Sequence, residues 1–271
     1  MALDLEIWKI YWIPKAEEGK WRLIAMLVAP YRIWARHCNK TIAKWIRALN
    51  RDWIAYGPGC SAEGTTYEAA IEAERYTGRY HDTVVTIVGD LEKGFEKVIH
   101  SRLRQAAKAH GFPVQILELA LNMYKAARRI RCGSAYSRPV YTNMGVLAGC
   151  PIAMAALLLA SIDPVEEFLR TKPKYLSVFK VYVDDFSLTF TFGGCDYNAD
   201  YVSEMVDTAY RELNTQLKRV GLVLSRDKNK SVTNKEEVAH AIEKRMSDLH
   251  MQTESQMVKL GVDYAAGTPI G

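Results

Sequence analysis

Two adjacent aspartates interrupt an otherwise apolar stretch in the second half of the chain, and this arrangement restricts the fold more than any other feature. Asp184 and Asp185 separate two runs rich in β-branched and aromatic residues, 178–183 and 186–192. Because carboxylates are disfavoured inside strands, the pattern predicts a β-hairpin with the aspartate pair at its turn and pointing outward. Taken alone, an aspartate pair at a turn is also typical of an ordinary surface loop.

The periodicity of apolar residues predicts a mixed α+β order for the rest of the chain. Residues 7–13 and 21–28 are predicted to form a second hairpin, and the β-branched run 84–88 a buried strand. Amphipathic or apolar patterns predict six helices, at about 32–50, 65–77, 94–110, 113–128, 150–170 and 203–220. The strands are therefore expected to pair mostly in hairpins.

Composition excludes several classes of protein. The chain has 271 residues, of which 49% are hydrophobic and 25% charged. It is therefore long and apolar enough for a packed core, and it is neither disordered nor collagen-like. Its five cysteines are scattered without a CxxC pair, which argues against a disulfide scaffold or a four-cysteine zinc site and favours an intracellular, nuclear or cytoplasmic compartment. Acidic residues precede any apolar run at the N-terminus, so no secretion signal is expected.

Residues 145–162 are 18 consecutive residues without a charge, which is the lower limit for a membrane-spanning helix. Gly145, Gly149 and Pro151 lie near its start. We therefore expect a buried helix that is entered through a glycine-rich turn, and no membrane partner.

Basic residues are concentrated in two segments that contain no acidic residue. Residues 19–51 carry eight Lys or Arg and residues 119–162 carry five, although the net charge of the chain is only +5. In the first segment four basic residues recur every four positions, so they lie on one face of the predicted helix. One such stripe is compatible with a solvated face, whereas two acid-free segments favour a polyanionic partner such as nucleic acid.

A third carboxylate follows the predicted strand 84–88. The strand leads through Gly89 to Asp90, so Asp90 and Asp184 can share a divalent cation if their strands are neighbours. Mg²⁺ prefers oxygen ligands of this kind and usually keeps water or phosphate ligands as well. Two such ions about 3.5–4 Å apart can activate an attacking oxygen and stabilise the leaving one in phosphoryl transfer.

Seven segments, spread in order over residues 11–264, resemble the motifs of the reverse transcriptase domain, in the style of non-LTR retroelement enzymes. They are Ile13-Pro14-Lys15 with Gly19–Ile24, which resemble the fingers hairpin; Tyr56–Ser61, similar to the loop written GFRPGRS; Asp90–Phe95, similar to motif A; Gly145–Pro151, similar to motif B; Tyr182–Asp185, similar to the YxDD of motif C; Leu224–Lys228, similar to motif D; and Lys259–Val262, similar to the primer grip of motif E. YxDD alone is a weak signal, whereas seven motifs in order are a specific one.

The resemblance implies a right-hand polymerase fold. The α+β palm would comprise residues 81–271 with motifs A to E, and residues 1–80 would form a fingers-like region. No helical thumb, endonuclease or RNase H domain is recognised in the sequence. We therefore expect a palm with partial fingers, which belongs to a longer polyprotein or retroelement reading frame.

The same resemblance implies catalytic roles for positions that match its motifs. Asp90, Asp184 and Asp185, together with the carbonyl of Leu91, would bind Mg²⁺, with Mn²⁺ as an alternative. Phe95 would crowd a ribose 2′-OH and so favour dNTPs. Lys228 would act as the general acid for pyrophosphate departure, with Lys230 as the competing assignment.

Other positions would contact the substrates, which are an RNA template, a DNA or RNA primer and dNTPs. Lys15 and Arg22 would hold the triphosphate, and Gly145 and Gly149 would let the backbone approach the nucleotide. The expected nucleic-acid contacts are Arg32, Arg36, Lys40, Lys44, Arg128, Arg129, Arg131, Leu260 and Gly261.

Motif B departs from the family pattern at two places. Ala148 replaces the usual glutamine, and Ala153-Met154 stands where Ser-Pro is usual. Loss of the glutamine amide puts efficiency and fidelity in question, but not metal binding. Two alternatives therefore stay open: an RNA-directed RNA polymerase, which Phe95 and the YxDD pattern oppose, and an inactive retroelement remnant that binds RNA, which the three carboxylates oppose.

Overall fold

The computed structural model describes residues 8–14, 21–80, 82–132, 134–171, 175–193, 197–254, 256–259 and 262–264. Its helices and antiparallel-rich sheets confirm the predicted α+β class. The chain divides into two compact units, each built from two segments: residues 1–49 with 93–163, and residues 50–92 with 164–271. The division between these units does not fall at residue 80, where the boundary between fingers and palm was expected. The assignment of fingers and palm stays a prediction.

Helices occur in both units. They are α1 (Ala29–Leu49), α2 (Ala62–Tyr80), α3 (Gly94–Lys97), α4 (His100–Ala109), α5 (Val114–Lys125), α6 (Ala153–Arg170), α7 (Ala199–Arg219) and α8 (Glu236–Arg245). A 3-10 turn at Ser247–Leu249 follows α8.

The strands of the described ranges form three sheets. They are β1 (Trp8–Pro14), β2 (Trp21–Met26), β3 (Thr83–Asp90), β4 (Arg128–Cys132), β5 (Ala135–Tyr136), β6 (Leu176–Tyr182), β7 (Asp185–Phe192), β8 (Lys230–Thr233), β9 (Gln252–Glu254), β10 (Met257–Lys259) and β11 (Val262–Tyr264). The sheet orders are β2-β1-β4-β5, β6-β7-β3-β8-β9 and β10-β11.

The first unit contains the four-stranded sheet and the helices α1, α3, α4 and α5. The predicted hairpin at its N-terminus is confirmed, since β1 pairs antiparallel with β2. In α1, apolar side chains recur every three or four residues and are buried, from Tyr31 to Leu49. The Trp45 indole N–H donates a 2.8 Å hydrogen bond to the His110 carbonyl, which ties α1 to the end of α4.

The second unit is built around β3, the central strand of the five-stranded sheet. Its β-branched run is buried along nearly its whole length, as expected for a strand covered on both faces. Helix α2 contributes Ala69 and Ala73 to a core cluster that also contains Val84, Val232 and Tyr264. The predicted amphipathic helix near 203–220 is confirmed as α7, whose N-terminus is capped by the Asn198 side chain.

Two sequence predictions are wrong. The helix predicted over 94–110 is interrupted, because Val98 is extended and its carbonyl accepts a 2.7 Å hydrogen bond from Gly145 N–H. The following helix ends at Lys125 rather than near 128, and Arg128–Cys132 is a strand that pairs in parallel with β1. In both cases a partner distant in sequence overrides the local helical pattern.

The uncharged run 145–162 leads into α6 as predicted, through a turn that precedes Ala153. The side chains from Ala155 to Leu159 are almost completely buried. Among the described helices, none combines the length and the apolar character needed to cross a membrane.

Candidate active site

The hairpin of β6 and β7 presents the aspartate pair at one end of the second unit. Tyr182 pairs with Asp185, which leaves Val183 and Asp184 as a two-residue turn. Val183 has a φ of 60°, a conformation that costs a β-branched residue on the order of 1–3 kcal/mol. The turn is therefore strained directly before the first aspartate, and such strain persists only where the surrounding structure enforces it.

The predicted neighbourhood of the two carboxylate-bearing strands is present. Strands β3 and β7 are antiparallel, and Asp90 is the direct cross-strand partner of Asp185. The Leu91 N–H donates a 3.1 Å hydrogen bond to the Asp184 carbonyl. All three aspartates are half-buried. The pairing of two adjacent strands therefore brings three carboxylates together at one end of the sheet.

The segment that resembles motif D is held against the end of β3. Ser225 N–H donates to the Asp90 carbonyl at 2.7 Å, and Glu92 N–H donates to the Val223 carbonyl at 2.8 Å. These backbone bonds hold residues 223–225 against the end of β3. Lys228, three residues further along, therefore lies beside the carboxylates.

Lys228 and Lys230 have different partners. The Lys228 ammonium contacts Asp90 Oδ2, whereas the Lys230 ammonium pairs with Glu254 Oε1 at 2.8 Å. Burial disfavours the charge on Lys228, but the hydrogen bond to Asp90 and the field of Asp184 and Asp185 outweigh it and raise the pKa of this lysine. Of the two lysines, Lys228 is thus the one beside the carboxylates.

Crowding of negative charge is evident at Asp185. Burial, followed by the charges of Asp184 and Asp90, raises the pKa of the Asp185 carboxyl to about 7, although Lys228 opposes the shift. A carboxylate that is partly desolvated beside two others is stabilised by any bound cation.

The donor set suits a hard divalent cation. Asp90, Asp184 and Asp185 offer carboxylate oxygens, and Mg²⁺ and Mn²⁺ favour such ligands. The contact of a lysine ammonium with Asp90 Oδ2 indicates that this position already accommodates positive charge. Within the described ranges, no three His, Cys, Asp or Glu side chains form a ready-made coordination shell, so the carboxylates would complete one with solvent or phosphate oxygens.

The sequence did not predict the hydrogen bonds of Tyr210 and Asn229, which lie against Gly89, the residue before Asp90. The Tyr210 hydroxyl donates a 2.6 Å hydrogen bond to Asn229 Oδ1, and Asn229 Nδ2 donates to the Leu249 carbonyl at 3.0 Å. A Cβ at Gly89 would lie 2.5 Å from the Tyr210 hydroxyl oxygen. Gly89, a glycine inside strand β3 and directly before the predicted metal ligand Asp90, is the sequence feature that indicates this close approach.

Phe95 lies in the first unit, in α3, and is half-buried. Its carbonyl accepts a 2.7 Å hydrogen bond from Val146 N–H, and the buried His100 bonds through Nε2 to the Gly145 carbonyl at 2.8 Å. Gly145 has a φ of +81°, and a Cβ there would lie 2.9 Å from the Glu96 carbonyl oxygen. The loop that resembles motif B is therefore fastened to the backbone around Phe95.

The same loop lines a cavity of about 220 Å³ in the first unit. Ile10 and Ala25 contribute from the sheet, Arg128 from β4, and Ala148 from the loop. Gly149, the other loop glycine expected at the nucleotide, has Ile24 as its nearest side chain. Ala148 thus stands in the cavity wall at the position where the family pattern has glutamine.

The basic residues occupy two places in the first unit. Arg32, Arg36, Lys40 and Lys44 are all exposed on the side of α1 opposite its buried residues. Arg128, Arg129 and Arg131 lie in β4 and are half-buried, and Arg128 Nη2 donates to the Tyr124 carbonyl at 2.7 Å.

Four expected contact residues cannot be placed in this way. Lys15, Leu260 and Gly261 lie outside the described residues. Arg22 belongs to β2, where its backbone pairs with Ile13, and its side chain is outside the described part of the chain.

Comparison with known proteins gives one family. A family model described as reverse transcriptase (RNA-dependent DNA polymerase) matches residues 13–262. No curated protein matches the chain.

Solved telomerases are similar in fold. Apo telomerase from Candida tropicalis, truncated from the C-terminal domain, gives a TM-score of 0.63 at 13% identity and covers 97% of this chain and 54% of that chain. The complex of C. tropicalis telomerase with the TWJ fragment of telomeric RNA gives 0.65 at 11% identity, with 97% and 44% covered. The corresponding Candida albicans complex gives 0.63 at 12%, with 97% and 46% covered.

These likenesses confirm the right-hand polymerase palm predicted from the motifs, and at such low identity they concern the fold alone. The chain spans about half the length of the telomerase structures that it matches.

Proposed function

The chain belongs to the reverse transcriptase family, and from this premise we propose that it is an RNA-directed DNA polymerase. It would add deoxynucleotides to a primer 3′-OH opposite an RNA template. We further propose that it acts within a retroelement of the non-LTR kind, as part of a longer polypeptide. Its scattered cysteines favour a location inside the cell, in the nucleus or the cytoplasm.

The observation that carries this proposal is the cross-strand pairing of Asp90 with Asp185, with Asp184 in the adjoining turn. Asp90, Asp184, Asp185 and the Leu91 carbonyl would hold two Mg²⁺ ions, or Mn²⁺ in their place. When bound, such ions lower the pKa of an attacking hydroxyl and neutralise charge on a transferring phosphoryl group.

Other residues would orient the substrates. Phe95 would crowd a 2′-OH and offer it no hydrogen-bond partner, so it would favour the deoxyribose. Lys228, which already contacts Asp90, provides a mobile proton and a positive charge beside the leaving pyrophosphate. Lys15 and Arg22 remain proposed contacts for the triphosphate, and Leu260 with Gly261 for the primer.

Primer extension on an RNA template tests the proposal. The parent protein should incorporate dNTPs in the presence of Mg²⁺ or Mn²⁺. Asp184→Asn removes one ligand charge at nearly constant shape, so incorporation should fall by at least the roughly 10- to 100-fold that loss of a residue supporting a metal ligand costs. The melting temperature should stay the same or rise slightly, because repulsion between carboxylates is relieved. Asp52→Asn, the same change at an exposed position, is the matched control and should keep full activity.

Two results would redirect the assignment. If the parent prefers NTPs over dNTPs, the chain is an RNA-directed RNA polymerase. If the parent binds RNA but incorporates neither nucleotide with either metal, it is an inactive remnant, and Ala148 is then the first position to restore to glutamine.

A further inference from the structure

An arginine lies between two tyrosines on one face of the four-stranded sheet. Arg131 in β4 is the direct partner of Tyr11 in the parallel strand β1 and of Tyr136 in the antiparallel strand β5. Direct cross-strand partners point to the same face of a sheet. The guanidinium carbon lies 5.6 Å from the centre of the Tyr11 ring and 5.7 Å from the centre of the Tyr136 ring, within the range of a cation–π contact.

This row, defined by Tyr11, Arg131 and Tyr136, leaves one aromatic ring accessible. Tyr136 is 46% exposed, and Tyr141, which follows it in the chain, is 73% exposed. The ring of Tyr136 is also held in place by the arginine, so a flat ligand could stack on it at little cost in side-chain entropy.

The chain segment that carries Arg131 and Tyr136 has charges of one sign. Residues 119–162 include five Lys or Arg and no Asp or Glu, and Arg138 in this segment is exposed. A ligand that combines flat apolar faces with repeated negative charge matches both properties. Nucleic acid is the polymer with this combination, and a single strand exposes the faces of its bases, whereas a duplex hides them.

We propose that the Tyr11–Arg131–Tyr136 row binds single-stranded nucleic acid, with a base stacked on Tyr136 and a phosphate held by Arg131. The inference rests on the proposed function, since a polymerase must receive its template unpaired. It adds a stacking site to the purely electrostatic contacts expected of the basic stripe on α1.

Binding of short fluorescent strands, followed by anisotropy, tests this site. The probes are a twelve-nucleotide oligouridine, the matching oligothymidine and a blunt hairpin duplex. Tyr136→Ala should weaken binding of the single strands by about 5- to 150-fold, the range measured for loss of one base–aromatic stack. Tyr136→Phe retains the ring and should bind like the parent.

The matched control is Tyr67→Ala. Tyr67 is 58% exposed but lies on α2, in the other unit, so its loss should leave affinity unchanged. Melting temperatures of all variants establish that they are folded.

Salt dependence separates stacking from charge. Tyr136→Ala should lower affinity equally at every salt concentration, because the protein keeps all of its cationic groups. Arg131→Gln should reduce the slope of log affinity against log salt by about 0.7, the value for one phosphate neutralised on a single strand. A structural role for the row would not produce these two different signatures.

Three results would overturn the proposal: equal effects of Tyr136→Ala and Tyr67→Ala, equal losses in Tyr136→Phe and Tyr136→Ala, or a blunt duplex that binds as tightly as the single strands. Failure of the proposed polymerase is a separate readout, because the inactive Asp184→Asn protein should still bind oligouridine through this row. If the parent binds neither strand, a protein becomes the better candidate for this surface. A preference for oligouridine over oligothymidine would identify the ligand as the RNA template, and equal binding would extend the site to any single strand.

Discussion

Under the proposed function, the side chain of Phe95 should decide which sugar is accepted. The parent should prefer dNTPs over NTPs by more than about tenfold, which corresponds to about 1.4 kcal/mol in transition-state free energy. Phe95→Val opens space for the 2′-OH, so the ratio of kcat/KM values should fall towards one, mainly through better use of NTPs. Phe95→Tyr keeps the ring and should keep the ratio. Unchanged discrimination in Phe95→Val would assign the sugar contact to another residue.

His100 should make stability depend on pH. Burial, opposed by the bond to Gly145 and reinforced by Lys125, Arg128 and Arg104, lowers the pKa of this histidine. The unfolded chain then binds a proton more readily than the folded one, so the free energy of unfolding is largest above the ordinary histidine pKa of about 6.5 and decreases as pH falls below it. His100→Gln removes the titration while keeping a donor for the Gly145 carbonyl.

The measurement is urea unfolding between pH 7.5 and 5. The parent should lose more stability over this range than His100→Gln. His240→Gln, a change at an exposed histidine, should follow the parent. Parallel curves for all three proteins would show that His100 does not contribute.

Gly89 and Tyr210 should be energetically coupled. Gly89→Ala places a methyl group 2.5 Å from the Tyr210 hydroxyl oxygen, so it should destabilise the protein by about 1–3 kcal/mol. In a Tyr210→Phe background the oxygen is gone and the cost should be smaller. A double-mutant cycle by urea unfolding measures the difference, and additive effects would contradict the close contact.

At the scale of elements, the exposed face of α1 should attract nucleic acid through charge. Replacing Arg32, Arg36 and Lys40 by Gln should flatten the salt dependence of binding to an RNA–DNA hybrid, by about 0.7–0.9 in log–log slope for each phosphate that is no longer neutralised. Replacing the exposed Lys108, Lys218 and Lys244 makes the same change in net charge and should leave the slope near that of the parent. Equal slopes in both triple variants would make the stripe a solvated face.

Elements with a strong local pattern were predictable from the sequence. Each of these elements buries one face or a continuous run of residues, so its apolar residues follow a recognisable pattern. They are the hairpins β1–β2 and β6–β7, the strand β3 and the helices α1 and α7. The strand Arg128–Cys132 was not predictable, because its partner β1 lies more than a hundred residues earlier. Short strands such as β8 and β9 depend in the same way on neighbours distant in the chain.

At the site, too, the positions that depend on local sequence were predictable, and the contacts between distant elements were not. Asp90, Asp184 and Asp185 are readable because their positions at strand ends are local properties. The bond from Tyr210 to Asn229 and the bond from His100 to Gly145 join different elements, so no spacing in the sequence reports them. Even the choice between Lys228 and Lys230 needed the partners that only the structure supplies.

At the scale of the whole molecule, each compact unit draws on two separate stretches of chain. A fragment of residues 81–271 lacks α2 and so exposes Val84 and Val232, which pack against Ala69 and Ala73. It should melt without a cooperative transition and be cut rapidly by chymotrypsin. A fragment of residues 50–271 retains α2 and should protect this core, and equal resistance of the two fragments would show that α2 is dispensable.

The antiparallel pairing of β3 with β7, which places Asp90 opposite Asp185, also limits how this site can change among descendants of the same gene. A slip of one residue in the pairing would turn one carboxylate to the opposite face of the sheet, and a slip of two would move it by about 7 Å. Intermediate registers are not accessible, so inherited changes of register should leave the pair intact or abolish it in a single step. Under the proposed function, gradual adaptation of nucleotide choice should then occur at positions such as Phe95 and Ala148, where side-chain volume changes in small increments.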